Sequence, residues 1–226
     1  MGADRFLLSL GDCNTLGTLE TEKYAYPLLL ARKLGVEAVN CGHTMGTIRE
    51  GWQYARRRLT SNTGYLTIQY GLVDSWLTFR GAPHVLYYPD NFGRLVLRKL
   101  AKKYKKLGRK LGFHRLFGEK HYVSTDEYRR RFEAIIRLAR ERSPAIRICL
   151  ISTSPSRQEH RNSGIEKFNQ VLQQVAQANR CAFVDAYAPF VGKPEMLEDY
   201  IHLKPEAHEI VAELCLAALR PQAPEI

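Results

Sequence analysis

Short apolar runs alternate along the chain with longer segments whose apolar positions recur every three or four residues. The runs at residues 5–10, 36–41, 65–70, 146–152 and 181–187 are rich in aliphatic and aromatic side chains and read as buried strands. Helix signals stand between and after them. Leu28, Leu29 and Leu30 precede Gly35, a helix stop, and a second helix is predicted over residues 46–59. Ser124-Thr125-Asp126-Glu127 reads as a capping box, with Ser124 as N-cap and Glu127 reaching back. Tyr128, Phe132, Ile135, Ile136 and Ala139 then share one face until Pro144, and Ile165, Phe168, Leu172 and Val175 mark a fourth helix. Pro205 opens the last, with Ala207, Ile210, Val211 and Leu214 turned inward. Strands alternating with helices predict a three-layer α/β/α sandwich with a five-stranded parallel sheet, in one domain over residues 1–226.

The alternation breaks once. More than fifty residues separate the third strand from Ser124, too many for a simple crossover, so an insertion is expected at about residues 80–122. The charge sits there too. The chain carries 34 Lys and Arg against 23 Asp and Glu, a formal net charge of +11. From Arg94 to Lys120 there are eleven basic residues and a single acid, Glu119, so this stretch holds +10 and the rest about +1. Within it Leu97, Leu100, Tyr104, Leu107 and Leu111 fall at 3-4-3-4 spacing, the stripe by which an amphipathic helix is expected to pack over the sheet. A Lys-rich amphipathic helix with Phe113 and Phe117 fits an anionic membrane surface, and the insertion could equally form a lid over a cleft. No recognition motif accompanies the charge, so nucleic acid is not expected as a partner.

Composition narrows the class further. At 45% hydrophobic and 25% charged, with unexceptional Gly, Pro and Cys, the chain is neither disordered, collagen-like nor a disulfide scaffold. The five cysteines are odd in number and lack Cys-x-x-Cys spacing; Cys41, Cys149 and Cys181 stand in or beside apolar runs as small hydrophobes. A reducing, cytoplasmic setting is expected, with the insertion docking the protein at the inner face of a membrane. The start through Asp4 and Arg5 does not read as a signal peptide, Phe6 stands where a myristoylation signal needs Ser or Thr after Gly2, and residues 221–226 read as a loose tail.

Three segments at strand ends carry the chemistry, the position where open α/β sheets bind ligands. They are Gly11-Asp12-Cys13-Asn14, Gly71-Leu72-Val73-Asp74 and, just before the last helix, Asp199-Tyr200-Ile201-His202. A nucleophile at a tight turn, with an Asp and a His three apart on a distant loop, suits acyl transfer. The imidazole takes the nucleophile's proton and the carboxylate fixes its tautomer. Asp12 and Asp74 read as loop braces and Gly42 is open between a turn glycine and a ligand contact. His43 adjoins Gly42, the histidines show no metal-ligand spacing, and Trp52 and Trp76 suit core or pocket wall.

In these segments the sequence resembles the SGNH (GDSL-like) hydrolases, over nearly the whole chain outside the insertion. Leu7 to Gly17 resembles the first block, with Cys13 where the serine nucleophile belongs. Asn40-Cys41-Gly42 resembles the second, Gly71-x-x-Asp74 the third with Val73 in the asparagine position, and Asp199-x-x-His202 the last. The resemblance implies a flavodoxin-like fold and an acyl-ester hydrolase, esterase- or deacetylase-like, acting on a small or carbohydrate-borne acyl ester. It implies a Cys13–His202–Asp199 triad, an oxyanion hole from the Cys13 and Gly42 amides, supporting roles for Asp12, Asn14 and Asp74, and no need for a metal or organic cofactor. Two departures bear on activity. Cysteine keeps a nucleophile but makes the intermediate a thioester. Valine removes a side-chain oxyanion donor, a loss typically worth about 10²–10³ in kcat. An acyltransferase of the same fold, or a catalytically impaired glycan- or ligand-binding protein docking through its basic insertion, are the alternatives.

Overall fold

Alternation of side chains along the strands decides the architecture. In β1 (Phe6–Gly11), Leu8 and Leu10 enter one apolar cluster while Leu7 enters another. A short helical turn, α1 (Cys13–Leu16), and α2 (Tyr26–Leu34) lead to β2 (Glu37–Gly42), then α3 (Ile48–Arg58) and β3 (Thr63–Gln69). After β4 (Leu77–Phe79), α4 (Phe92–Lys110), α5 (Phe113–Phe117) and β5 (Glu119–His121) come α6 (Thr125–Arg142), β6 (Arg147–Ile151), α7 (Asn162–Ala178), β7 (Ala182–Val184) and α8 (Pro205–Leu219). These are the elements of a computed structural model describing residues 5–220. Gly2 and the tail at residues 221–226 lie outside the described residues.

Five strands form one sheet in the order β2-β1-β3-β6-β7, with all neighbours parallel. Leu66 and Ile68 of β3 and Ile148 and Leu150 of β6 join Leu8 and Leu10 beneath α3, α6 and α7. Cys149 and Ile151 face the other way with Leu7, beneath α2 and α8. Each face of a parallel sheet is thus covered by helices, the three-layer sandwich expected.

Helix α2 starts at Tyr26, later than the apolar run suggests, because Glu22–Tyr24 forms a separate 3₁₀ turn; Gly35 ends it in the left-handed region. Ser124 caps α6 by accepting from the Glu127 amide, but the reciprocal half of the expected box is absent. Glu127 instead binds Arg49 at 2.5 Å and Arg131 at 2.7 Å, joining α6 to α3. The reciprocal box lies at Thr47–Glu50, which starts α3.

The insertion runs from β4 to β5, which pair antiparallel, with α4 and α5 between them. Its long helix corrects the expected orientation. Leu97, Leu100, Tyr104, Leu107 and Leu111 are each between 43% and 61% exposed, so the apolar stripe does not pack over the sheet. The covered face is the register one residue on, with Arg98, Ala101 and Gly108 buried and Lys105 half-buried. Gly108 sits against the Phe79 ring, where a Cβ would approach to 2.6 Å, and Phe79 stacks edge-on to Phe113 at 5.4 Å. Two stripes with the same spacing compete for the inward face, and the one able to come close to β4 wins it.

This orientation sets an expectation for stability. Truncating the fully buried Phe132 to Ala should cost about 3–5 kcal/mol in denaturant unfolding, whereas Leu107→Ser should change stability by no more than about 0.5 kcal/mol. A large loss for Leu107→Ser would mean that its stripe is covered after all.

Candidate active site

Three loops converge at the C-terminal ends of the central strands. Gly11 ends β1, and a Cβ there would lie 1.8 Å from Thr15 Oγ1, so the chain can turn this tightly only with glycine. Asp12 N-caps α1 by accepting from the Asn14 amide at 3.0 Å, the brace expected of it. Cys13 is thereby presented in the first turn of α1, against Leu72, Ile165 and Ile201.

Asn14 does more than support its own turn. Its Nδ2 donates to the Ile201 carbonyl at 3.0 Å, and its Oδ1 accepts from the Leu203 amide at 3.1 Å. Those two backbone groups flank His202, so one side-chain amide ties the histidine loop to the cysteine loop across 187 residues of sequence. On that loop Asp199 Oδ1 accepts from the Ile201 and His202 amides, and its Oδ2 meets His202 Nδ1 at 2.7 Å. Burial by itself would raise the Asp199 carboxyl, but these three bonds hold it below its ordinary range. The pair directs the Nδ1 proton to the carboxylate and leaves Nε2 as the imidazole's acceptor. His208, just behind, is kept neutral: burial and the neighbouring His202 bring it down to about 4, and its Nδ1 accepts from the Tyr26 amide.

The nucleophile position is less prepared. Cys13 is 6% exposed, and burial, then the charges of Asp12 and Asp199, push its thiol well above the ordinary range. Among the described residues Cys13 Sγ makes no hydrogen bond to His202, while the backbone amides of Cys13 and Asn14 lower the thiol by less than burial raises it. With no carbonyl partner among the described residues, the Cys13 amide is open as an oxyanion donor. Gly42 is not: its amide donates to Asn40 Oδ1 at 2.9 Å, and Asn40 Nδ2 donates to the Thr15 carbonyl. A Cβ at Gly42 would come within 2.2 Å of the Leu16 amide, so the glycine lets β2 pack against α1, and the oxyanion role expected of it has no free donor here. Val73 is buried and offers none either.

Asp74 braces α3, accepting from the Ile48 amide at 3.0 Å, while its Oδ2 has no partner among the described residues. Burial, opposed by the Ile48 bond and reinforced by Asp12, pushes it up to about 8. Burial likewise lifts Asp12 to about 7, against the Asn14 amide bond and the nearby His202. Next to these loops lies a cavity of about 1000 Å³ between α4, β5 and the start of α7, with Val73 and Trp76 in its wall. It is lined by side chains from segments distant in sequence, among them His84, His121 and Arg161, which no local pattern singled out. Among the described residues no group of three or more His, Cys, Asp or Glu could hold a metal ion, and no helix is long and apolar enough to cross a membrane.

A parallel α/β sandwich with a turn cysteine and an Asp–His pair on loops at its strand ends suits a hydrolase-like class, and comparison with known proteins gives the family. The sequence matches the GDSL-like lipase/acylhydrolase family over residues 9–210. The chain belongs to that family, and so to the hydrolases acting on ester bonds. No curated protein matches the sequence. Among solved structures it is similar in fold to Axe2, an acetylxylan esterase from Geobacillus stearothermophilus, at TM-score 0.62 and 19% identity over 98% of this chain and 96% of that one. It is also similar to LAE5, an α/β hydrolase from the metagenome of Lake Arreo, Spain, at TM-score 0.64 and 17% identity over 97% and 96%. Catalytic mutants of Axe2 replace a serine, an aspartate and a histidine by alanine, the last two three positions apart.

Two measurements probe this geometry. Asn14→Ala strands the Ile201 carbonyl and the Leu203 amide, and should cost about 1–3 kcal/mol and raise amide exchange selectively around residues 200–204. Uniform exchange would mean that the loop stands without Asn14. Asp12 and Asp74 bind protons more tightly folded than at their ordinary value of 3.8, so the stability they contribute is complete below that value. It falls as pH rises through about 7 and about 8. Asp74→Asn keeps the Ile48 acceptor and removes one ionisation, so its melting temperature should decline less than that of the wild type between about pH 5 and about pH 9. Parallel profiles would show that Asp74 does not titrate there.

Proposed function

We propose that the protein is an acyl-ester hydrolase using Cys13 as nucleophile, His202 as general base and then acid, and Asp199 as the group that orients His202. The observation that carries this reading is the 2.7 Å Asp199–His202 pair, held beside Cys13 by Asn14. As Cys13 Sγ attacks the ester carbonyl, its proton passes to His202 Nε2. The alcohol leaves with that proton, and water deprotonated by His202 then hydrolyses the thioester. Because burial keeps the thiol protonated, the attack needs the proton transfer in the same step, with Sγ turned toward His202 when substrate enters. The Cys13 amide faces the oxyanion; without an asparagine at Val73 or the Gly42 amide, the site is expected to be slow. The likeness to an acetylxylan esterase supports a carbohydrate-borne acetyl group as the substrate class.

A second reading, a catalytically impaired ligand-binding member of the family, is favoured by the thiol's lack of a hydrogen bond to His202 and by Val73. Turnover of p-nitrophenyl acetate and acetylated xylo-oligosaccharides by the wild type, Cys13→Ser, Cys13→Ala and His202→Ala separates the two. Cys13→Ala and His202→Ala should each lower kcat/KM by about 10²–10⁴, and mass spectrometry should find an acetyl thioester on wild-type Cys13. Equal background rates in all four would overturn the enzymatic reading in favour of the second. A gain in Cys13→Ser would keep the site and show that the thiol slows it.

A further inference from the structure

The cavity walled by Val73 and Trp76 supplies no group to the proposed acyl chemistry, yet it gathers positive charge. Seven Lys or Arg side chains line it, and among the described residues no Asp or Glu does. They come from two separate elements: Arg98, Lys102, Lys105, Lys106 and Arg109 from α4, Arg161 and Lys167 from the start of α7 and the turn before it. Among the described residues only Arg98 of the seven has a carboxylate within 4 Å, Asp90 at 2.6 Å. Like charges gathered around a shared space repel, and a fold keeps them there at a cost unless something negative enters.

The wall also carries donors with nothing to donate to. Arg161 Nη1, Trp76 Nε1 and His84 Nε2 are buried polar atoms without a hydrogen-bond partner among the described residues. The His84 side chain is only 10% exposed, and the nearest carboxylate, Glu50, lies at 3.7 Å, too far for a bond and already accepting from Thr47 and Tyr87. Aromatic faces hold the cations in place. The Arg161 guanidinium lies 4.6 Å from the Trp76 ring centre and 5.6 Å from that of Tyr200, and Lys105 Nζ lies 4.3 Å from that of Tyr122. Burial and the charge of Arg109 lower the Lys105 ammonium to about 8, the state of a cation short of a counter-charge.

Six cations without carboxylate partners, approaching from two elements, exceed what one planar carboxylate can satisfy and suit a tetrahedral oxyanion with several acceptor oxygens. The space is far larger than such an ion, so the ion is one end of a larger ligand. Trp76 packs against the cluster of Cys13 and Ile201, and Tyr200 adjoins Asp199, so the far end reaches toward the triad. We propose that this cavity binds a phosphate-class oxyanion carried by the substrate and so places the acyl ester at Cys13; the second half of that statement rests on the reading of Cys13 as nucleophile.

Inorganic pyrophosphate titrated into the full chain at low ionic strength tests the site without turnover. Two charge-matched variants are compared with the wild type: Lys105→Gln/Arg109→Gln/Arg161→Gln inside the cavity and Lys99→Gln/Lys103→Gln/Lys110→Gln on the exposed side of α4. The cavity variant should bind at least about tenfold more weakly, and the exposed-side variant within about twofold of the wild type. Should the cavity triple fail to fold, Arg161→Gln alone is read in the same way. No binding by the wild type, or equal loss in both variants, would overturn the proposal. Phosphatidylglycerol vesicles that compete with pyrophosphate would place the phosphate on a lipid headgroup; absence of competition would place it on a soluble molecule. For turnover, the cavity variant should raise KM for an acetylated sugar phosphate at least about tenfold more than KM for the neutral acetylated sugar. Equal changes in the two would overturn the placement of substrate. Pyrophosphate binding retained in a protein inactive on every ester would keep the cavity and reject Cys13 as nucleophile.

Discussion

The side-chain amide of Asn14 is the interaction on which the site depends. Cys13 and His202 follow different strands, Cys13 in the single turn of α1 and His202 in an irregular loop that would not hold its own position. Asn14 gives one donor and one acceptor to the two peptide groups that flank His202, both buried and both in need of partners. The same turn is shaped by Asp12 from below and admitted by Gly11 and Gly42, which leave no room for a Cβ between β1, α1 and β2. This small network ties the loop that carries His202 to the turn that carries Cys13.

The two carboxylates deeper in the site show the opposite economy. Asp12 and Asp74 are buried with few partners, and burial lifts both toward neutral pH. Asp199, with two amides and an imidazole around it, is held low. Hydrogen bonding, burial and neighbouring charge thus push three aspartates of one site in different directions, and favour Asp199 as the ionised partner of His202.

Much of the fold was legible along the chain. The five apolar runs became the five parallel strands, since a strand buried on both faces shows as a continuous apolar run. The Asp199–His202 spacing was legible as well, because a three-residue interval on one loop is local geometry. Other features were less so. The Gly42 amide, expected at an oxyanion, is taken instead by Asn40, two residues before it, a bond set by how β2 meets α1. The sequence predicts a capping box at Ser124–Glu127, while the reciprocal one forms at Thr47–Glu50, which has the same spacing in a Thr-x-x-Glu pattern. Glu127 was drawn away by two arginines, one of them on another helix.

Helix α4 marks the boundary most sharply. From its sequence alone followed its charge and the existence of an apolar stripe, because these depend only on spacing and composition. Which stripe turns inward depended on what lay opposite. Phe79 accepts the close approach of Gly108, so the register with Arg98, Ala101 and Lys105 is covered and the leucines remain outside. The +10 of the insertion is a property of the sequence; that several of those charges meet Arg161 and Lys167 around one cavity, with Trp76 between it and the Cys13 cluster, is a property of the tertiary structure. Local spacing sets what a segment can present, and only the packing of distant segments decides what it faces.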